Sequence, residues 1–189
     1  MNSTRELESV LAGPPELAAP LLLGWHLVSH VGGEEVAVRV SEVEAYKGED
    51  DPASHAYRGE TGRNGSMFRK PGTLYVYRSY GIHSCANTAA GPEGVGWGIL
   101  IRGGEVVEGT GVASRRRGYR PDLADGPGKL CQALAIGTEH NGLDLLDPRS
   151  VVRLQPGSPP ERVMGTPRVG ISKARDRMWR FVAVSQLSP

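Results

Sequence analysis

Two glutamates, Glu42 and Glu44, sit two residues apart in a run otherwise built from Val36, Val38, Val40, Val43 and Ala45, and Tyr46 follows. A spacing of two places both carboxylates on one face of a strand. At a strand end, beside a tyrosine, a carboxylate is positioned to act as a general base; an exposed, inert glutamate is the plainer alternative. The aromatic residues gather nearby. Five of the six tyrosines, Tyr46, Tyr57, Tyr75, Tyr77 and Tyr80, fall within 46–80. Arg58, Arg63, Arg69, Lys70 and Arg78 lie among them, and Glu60 is the one acid between 58 and 78. Rings interleaved with cations are what a surface needs to stack bases and hold phosphates. A tyrosine-rich strand that buries its rings in the core would use the same residues, and the pattern leaves both readings open.

Other chemistries lack their residues. His26 and His30 are four apart, but no Glu follows His26 and the segment reads as strand, so a zinc site is not expected. No Gly-X-Ser-X-Gly elbow occurs. Gly94-Val-Gly-Trp-Gly and Gly126-Pro-Gly-Lys have neither dinucleotide-binding nor Walker spacing. Cys85 and Cys131 show no CxxC pattern and fit a reduced, cytoplasmic protein without a disulfide framework. No stretch approaches the roughly 20 apolar residues that cross a bilayer. The apolar cluster at 17–23 is broken by Pro20 and has no basic segment before it, so neither membrane contact nor a signal peptide is expected.

The elements that must position these residues are short. The chain has 189 residues, of which 26 are Gly, 14 are Pro and 39% are apolar, enough for one loop-rich domain spanning 1–189. Ser3 and Glu6 have capping-box spacing, with Leu7, Val10 and Leu11 following on one face. Pro14-Pro15 stops that helix and opens a second, so that 1–24 forms short helices packed on the core. Residues 25–30 and 36–46 read as strands joined at Gly32-Gly33, the second switching faces near Ser41. The run 47–71 is a long polar loop, of the kind that is usually functional or disordered. Strands are expected at 74–80, ended by Gly81, and at 98–102, 151–154 and 179–184. Helices are expected at 105–117 and after Gly126, with Pro127 in the first turn. Short turns between strands favour an α+β fold with a mostly antiparallel sheet. The net charge of +1 first argues against a nucleic-acid partner, yet residues 1–57 carry 3 basic and 10 acidic side chains and residues 58–189 carry 19 and 11. The second part could therefore present a cationic face.

Several runs, in order, carry a resemblance. Glu42-Val-Glu-Ala-Tyr-Lys-Gly, Asp51-Pro-Ala-Ser-His-Ala-Tyr-Arg-Gly, Thr61-Gly-Arg-Asn-Gly-Ser-Met-Phe, Lys70-Pro-Gly-Thr-Leu-Tyr-Val-Tyr and Tyr80-Gly-Ile-His-Ser-Cys-Ala-Asn come first. Ile99-Leu-Ile-Arg, Gly126-Pro-Gly-Lys-Leu-Cys-Gln-Ala-Leu and Pro167-Arg-Val-Gly-Ile follow. Together they resemble the alkyladenine (3-methyladenine) DNA glycosylase family from about residue 4 to Val182. Any one run would be unspecific; their fixed order is not.

The resemblance implies a single α+β domain with a curved antiparallel sheet flanked by helices and a protruding β-hairpin that enters duplex DNA. It implies a monofunctional, monomeric glycosylase that flips alkylated or deaminated purines out of the double helix and hydrolyses the N-glycosidic bond in base-excision repair. No lyase step, metal, organic cofactor or obligate protein partner is implied, and the location would be cytoplasmic, at the nucleoid in a bacterium. By match of position, Glu44 is the catalytic carboxylate and Arg102 helps hold it and its water. Tyr46 and His55 sandwich the flipped base, Tyr77 closes the pocket edge, and Asn87 rejects the guanine 2-amino group. Tyr80 intercalates with Ile82 beside it, while Arg63, Arg69, Lys70, Arg78 and Lys129 contact the DNA backbone. A non-catalytic damaged-DNA-binding module on the same scaffold is the alternative, and the joint presence of Glu44 and Arg102 argues against it. The sequence departs from the family pattern at Ile82, Ser84, Gly128 and Met178, which bears on wedge geometry and substrate range. The expected surface has cations around Tyr80 and most acids of 1–57 turned away, with Glu44 held inside.

Overall fold

The computed structural model describes residues 3–184. Two short helices, α1 (Thr4–Leu11) and α2 (Pro15–Ala18), open the chain. Ser3 caps α1 as its spacing predicts, its Oγ accepting from the Glu6 amide at 3.2 Å. Leu7 and Leu11 sink into the same apolar cluster as the sheet. Eight strands follow: β1 (His26–Ser29), β2 (Val36–Lys47), β3 (Leu74–Ser79), β4 (His83–Ala90), β5 (Trp97–Glu108), β6 (Val152–Gln155), β7 (Arg162–Thr166) and β8 (Arg180–Val184). Helices α3 (Thr110–Arg116) and α4 (Pro127–Ala133) lie between β5 and β6. The sheet runs β3-β4-β5-β2-β1-β6, every pair is antiparallel, and β8 joins β2 while β7 joins β8. The fold is an open antiparallel sheet with few helices, an α+β architecture.

β2 is the strand on which the site depends. Along one edge it pairs with β5, and along the other with β1 up to Arg39 and with β8 from Glu42 to Glu44. Between these two partners the ladder to β5 is irregular: Val40 opposes Gly104, Glu42 opposes Gly103 and Val43 opposes Ile101, so that Ser41 and Arg102 have no Cα partner. A strand alternates its side chains with period 2, and one extra residue flips everything after it. Val36, Val38 and Val40 face the core before the bulge, and Val43 and Ala45 face it afterwards. The even-numbered Glu42, Glu44 and Tyr46, which unbroken alternation would send into the core, come out on the opposite face. The face switch read from the sequence near Ser41 is this bulge.

The helix expected at 105–117 is shorter than that. Glu105, Val106 and Glu108 remain paired with β2, and Arg39 Nη2 meets Glu105 Oε2 at 2.5 Å across the strands. Only after Gly109, at φ +70°, does the chain turn into α3. Strand pairing here overrides weak local helix preference. Strands β4 and β7 add to those expected, and the loop 47–71 is ordered around Asn64, whose Nδ2 donates to the carbonyls of His55 (2.9 Å) and Gly59 (3.1 Å).

The bulge needs Gly104. A Cβ there would lie 2.2 Å from the Arg39 carbonyl oxygen and 2.6 Å from Val38 Cγ1. Gly104→Ala is therefore expected to lower stability by about 1–3 kcal/mol, the usual range for overpacking. Urea unfolding measures it, and an unchanged midpoint would show that β2 and β5 do not need this close approach.

Candidate active site

At and beyond their irregular stretch, β2 and β5 contribute Tyr46, Gly98, Leu100 and Arg102 to a cavity of about 560 Å³. Its walls bring together Tyr46 from β2, His55 and Arg63 from the loop, Tyr75, Tyr77 and Arg78 from β3, Asn87 from β4, Arg102 from β5 and residues 169–173. Tyr80 stands at the rim. Among the described residues, no Asp or Glu is part of this lining.

Glu44 lies one layer behind the wall, with no exposed surface. A buried carboxylate is costly unless its lone pairs are occupied. The Val169 amide donates to Oε1 at 2.8 Å and the Tyr46 hydroxyl donates to Oε2 at 2.7 Å. Arg102 Nη1 stands 3.4 Å from the same Oε2. Burial, and then the charge of Glu44, push the Tyr46 hydroxyl far above the ordinary phenol range, so it keeps its proton and remains a donor. Arg102 is itself held, because Glu42 Oε1 accepts from Arg102 Nε at 2.7 Å and from Arg180 Nε at 2.6 Å. Burial would raise the Glu42 carboxyl, but the hydrogen bonds and charges of these two arginines outweigh it and hold it below its usual value.

The aromatic wall is built edge to face. The His55 ring meets Tyr77 with centroids 4.4 Å apart and planes at 81°, and Tyr75 stacks on Tyr77 at 5.6 Å. His55 Nδ1 lies 3.2 Å from the Tyr75 hydroxyl, which fixes the ring about its own axis. Burial, and then the charge of Arg63, lower the His55 pKa. Asn87 is buried, with Nδ2 donating to the carbonyls of Tyr75 (3.1 Å) and Cys85 (3.4 Å). Of the two readings of the tyrosine cluster, Tyr75 belongs to the buried one, while Tyr46 and Tyr77 also present surface to the cavity.

Tyr80 is the opposite case. β3 and β4 form a hairpin closed by the Ser79–His83 pair, with Ile82 N donating to Ser79 O at 3.1 Å. Tyr80 and Gly81 both take positive φ, +50° and +74°, as the turn that suits strand twist requires. Tyrosine rarely adopts this backbone. Tyr80 is 92% exposed and Ile82 70%, so two large apolar side chains stand in solvent at the tip. Departures from the family pattern lie close by: Ser84 pairs with Arg78 across the hairpin, and Gly128 sits where a Cβ would be 3.0 Å from His83 Cβ. Met178 is exposed.

The five cations expected to meet DNA separate into two groups. Arg63 and Arg78 flank the hairpin, Arg63 Nη2 donating to Arg78 O at 3.3 Å and its guanidinium lying over Tyr77 at 6.0 Å. Lys70 is paired with Asp144 (2.6 Å) and Lys129 with Asp122 (2.6 Å) and Asp125 (3.0 Å). Arg69 shares a separate cleft with Glu60 and Glu93. Lys173, absent from the expected set, joins Arg63 and Arg78 in lining the cavity. Val169 and Tyr75 were also not foreseen. A backbone donor leaves no mark in side-chain chemistry, although both residues fall inside the runs that carry the resemblance.

Residues 9–186 match the profile of the methylpurine-DNA glycosylase (MPG) family. A protein of Mycolicibacterium fortuitum is 51% identical over 175 residues, covering 88% of this chain and 88% of its own length. One of Mycobacterium tuberculosis strain H37Rv is 47% identical over 179 residues, with 90% and 86% covered. One of Corynebacterium efficiens is 46% identical over 170 residues, with 89% and 86% covered. All three bear the name "Putative 3-methyladenine DNA glycosylase".

The His55 environment is open to direct measurement. A histidine NMR titration is expected to place its midpoint below the ordinary 6.5, and Arg63→Gln to move it part of the way back, since burial remains. Because the unfolded chain protonates first, the stability present above about pH 6.5 is lost as the pH falls from there through the lower midpoint of the folded protein. A normal midpoint, unmoved by Arg63→Gln, would place the ring in water.

Proposed function

The chain belongs to the methylpurine-DNA glycosylase family, and on that premise we propose that it excises damaged purines from duplex DNA by hydrolysis with Glu44 as general base. The observation that carries this reading is the placement of Glu44. A carboxylate without solvent contact, held by two hydrogen-bond donors and an arginine 3.4 Å away, lies behind a ring-lined cavity beside an exposed hairpin tyrosine.

A base inside a duplex is out of reach, so the nucleotide must leave the stack at a cost of a few kcal/mol. Tyr80, with Ile82 beside it, enters the gap, and base–aromatic stacking of about 1–3 kcal/mol offsets part of that cost. Its positive φ fits this role, since unusual backbone at a loop tip is kept where the side chain must be aimed. Arg63, Arg78 and Lys173 are placed to take the nearby phosphates. Lys70 and Lys129 would first have to leave their acidic partners, and Arg69 lies in a separate cleft. The extruded purine enters between Tyr46 and His55, against the edge of Tyr77. An alkylated purine is cationic, and electron-rich rings favour it by about 0.5–2 kcal/mol. Asn87, its amide nitrogen tied to strand carbonyls, is a rigid body at the pocket wall against which a guanine 2-amino group would press.

Glu44 then takes a proton from water as the water oxygen bonds to the sugar C1′. The electron pair of the C1′–N bond leaves with the base, and an abasic site remains. The carboxylate also stabilises positive charge that develops on the sugar. Its two hydrogen bonds leave lone pairs free, and Oε2, where Arg102 stands only as an ion partner at 3.4 Å, has room to accept from the water. No lysine nucleophile takes part, so no strand scission accompanies base release.

A labelled duplex with one 1,N6-ethenoadenine, hypoxanthine or 3-methyladenine tests this. Wild type is expected to produce alkali-labile sites, with no breaks before alkali. Glu44→Gln should lose about 10²–10⁴-fold in single-turnover rate, the range for a general base, while still binding the duplex. Full activity in that variant would exclude Glu44 as the base. Tyr80→Ala is expected to slow excision and weaken lesion binding by tenfold or more; if both stay unchanged, the hairpin is not the wedge.

A further inference from the structure

The mechanism leaves unused a buried ion pair directly behind the catalytic carboxylate. Asp51 and Arg168 have no exposed side-chain surface, and 117 positions separate them in the chain. Arg168 Nη1 donates to Asp51 Oδ2, and Nη2 donates to Oδ1 at 2.9 Å. The same Nη1 donates to the Ala45 carbonyl at 2.9 Å. The guanidinium lies over Tyr46 at 4.6 Å and over Trp179 at 5.3 Å. Stability alone is a poor reason for such a pair, since apolar groups of similar volume often serve as well or better. Arg168 Nε, moreover, is buried without a hydrogen-bond partner.

Its connections supply a better reason. Asp51 Oδ1 accepts from the Ala53 amide at 3.2 Å and Oδ2 from the Lys47 amide at 3.4 Å, which fixes the first turn of the loop that delivers His55. On the other side, Arg168 immediately precedes Val169, whose amide holds Glu44 Oε1. It also packs on the ring of Tyr46, whose hydroxyl holds Glu44 Oε2. Neither Asp51 nor Arg168 lines the cavity. Arg177, 3.9 Å from Asp51 Oδ1, stacks on the same Trp179 without occupying the fork.

We propose that Asp51 and Arg168 are a positioning pair that sets, in one contact, the two hydrogen bonds of the catalytic carboxylate and the loop of the base-stacking histidine. The proposal rests on the reading of Glu44 as the general base. Lysine in place of Arg168 keeps the charge but loses both the two-pronged geometry and the planar stack on Tyr46. Asparagine in place of Asp51 keeps the shape and an acceptor for one amide but removes the charge.

The test is single-turnover excision of ethenoadenine from a duplex by wild type, Asp51→Asn and Arg168→Lys. The rate constant, the reaction amplitude and the dissociation constant for the lesion duplex are read separately. The expected result is a rate constant lower by 30-fold or more in Asp51→Asn and by about tenfold in Arg168→Lys, with dissociation constants within threefold of wild type. Arg168→Lys is the milder change and keeps the test open if Asp51→Asn does not fold. A merely structural pair would lower the amplitude, as less enzyme is folded, and leave the rate constant of the remainder untouched. That result, or wild-type behaviour in both variants, overturns the proposal. A wild-type chain that releases no base overturns the glycosylase reading and this inference with it.

Discussion

A carboxylate removed from all contact with water has to be compensated by the groups around it, and Glu44 places that demand on several distant segments. Tyr46 supplies a hydroxyl from the same strand, Val169 an amide from the tail of the chain, and Arg102 a guanidinium from β5. Each of these is fixed by something else: Arg102 by Glu42 and through it by Arg180 on β8, Tyr46 by the plane of Arg168, and Val169 by the buried ion pair of its neighbour. Catalysis by preorganised charge requires such rigidity, because donors that reorganise during the reaction give back what they contribute. The result is a polar network in which removing one member leaves others buried and unpaired.

The sheet is arranged around the same need. A continuous β2 would send Glu42, Glu44 and Tyr46 to the side of Val36, Val38 and Val40, into an apolar core. One bulge at Ser41 turns them to the opposite face, Tyr46 onto the cavity wall and Glu44 behind it, and leaves Val43 and Ala45 in the core. It coincides with the point at which the far edge of β2 passes from β1 to β8, so Arg180 arrives beside Glu42 just where a second cation is needed. It also leaves Arg102 outside the ladder on β5, beside the two carboxylates it serves. The bulge, the change of edge partner and the ion network are three aspects of one local geometry.

Much of this was legible beforehand, and what was not has physical reasons. Ser3, Pro127, Gly32-Gly33 and the valine alternation of β2 follow local rules, and local rules hold where no tertiary contact opposes them. β4 escaped because Ser84, Ala86, Thr88, Ala89 and Ala90 are small, and it is a strand by pairing with two neighbours rather than by propensity. The end of β5 resembles a helix in sequence because Glu105-Val-Val-Glu108 shows no period-2 alternation, although its two valines favour a strand. In the site, Glu44, Tyr46, His55, Tyr77, Asn87 and Arg102 can be named by resemblance to the family, and all reach one region. Val169 and the Asp51–Arg168 pair could not be given roles, because one acts through its backbone and the other through a contact spanning most of the chain. Charge is the least legible property, since Lys70 and Lys129 look like Arg63 and Arg78 in sequence but are paired with acids in space, and Arg69 lies in another cleft.

The central claim, that the buried carboxylate faces the sugar of a nucleotide drawn into the ring-lined cavity, is most directly tested by a crystal structure. Glu44→Gln on a duplex with one ethenoadenine gives the complex before the bond breaks. The account predicts the lesion base between Tyr46 and His55, Tyr80 in the vacated stack, and the residue 44 side chain facing the C1′ carbon within reach of a bridging water. A base that remains stacked in the duplex, or that enters the cavity with its C1′ turned away from position 44, would contradict it.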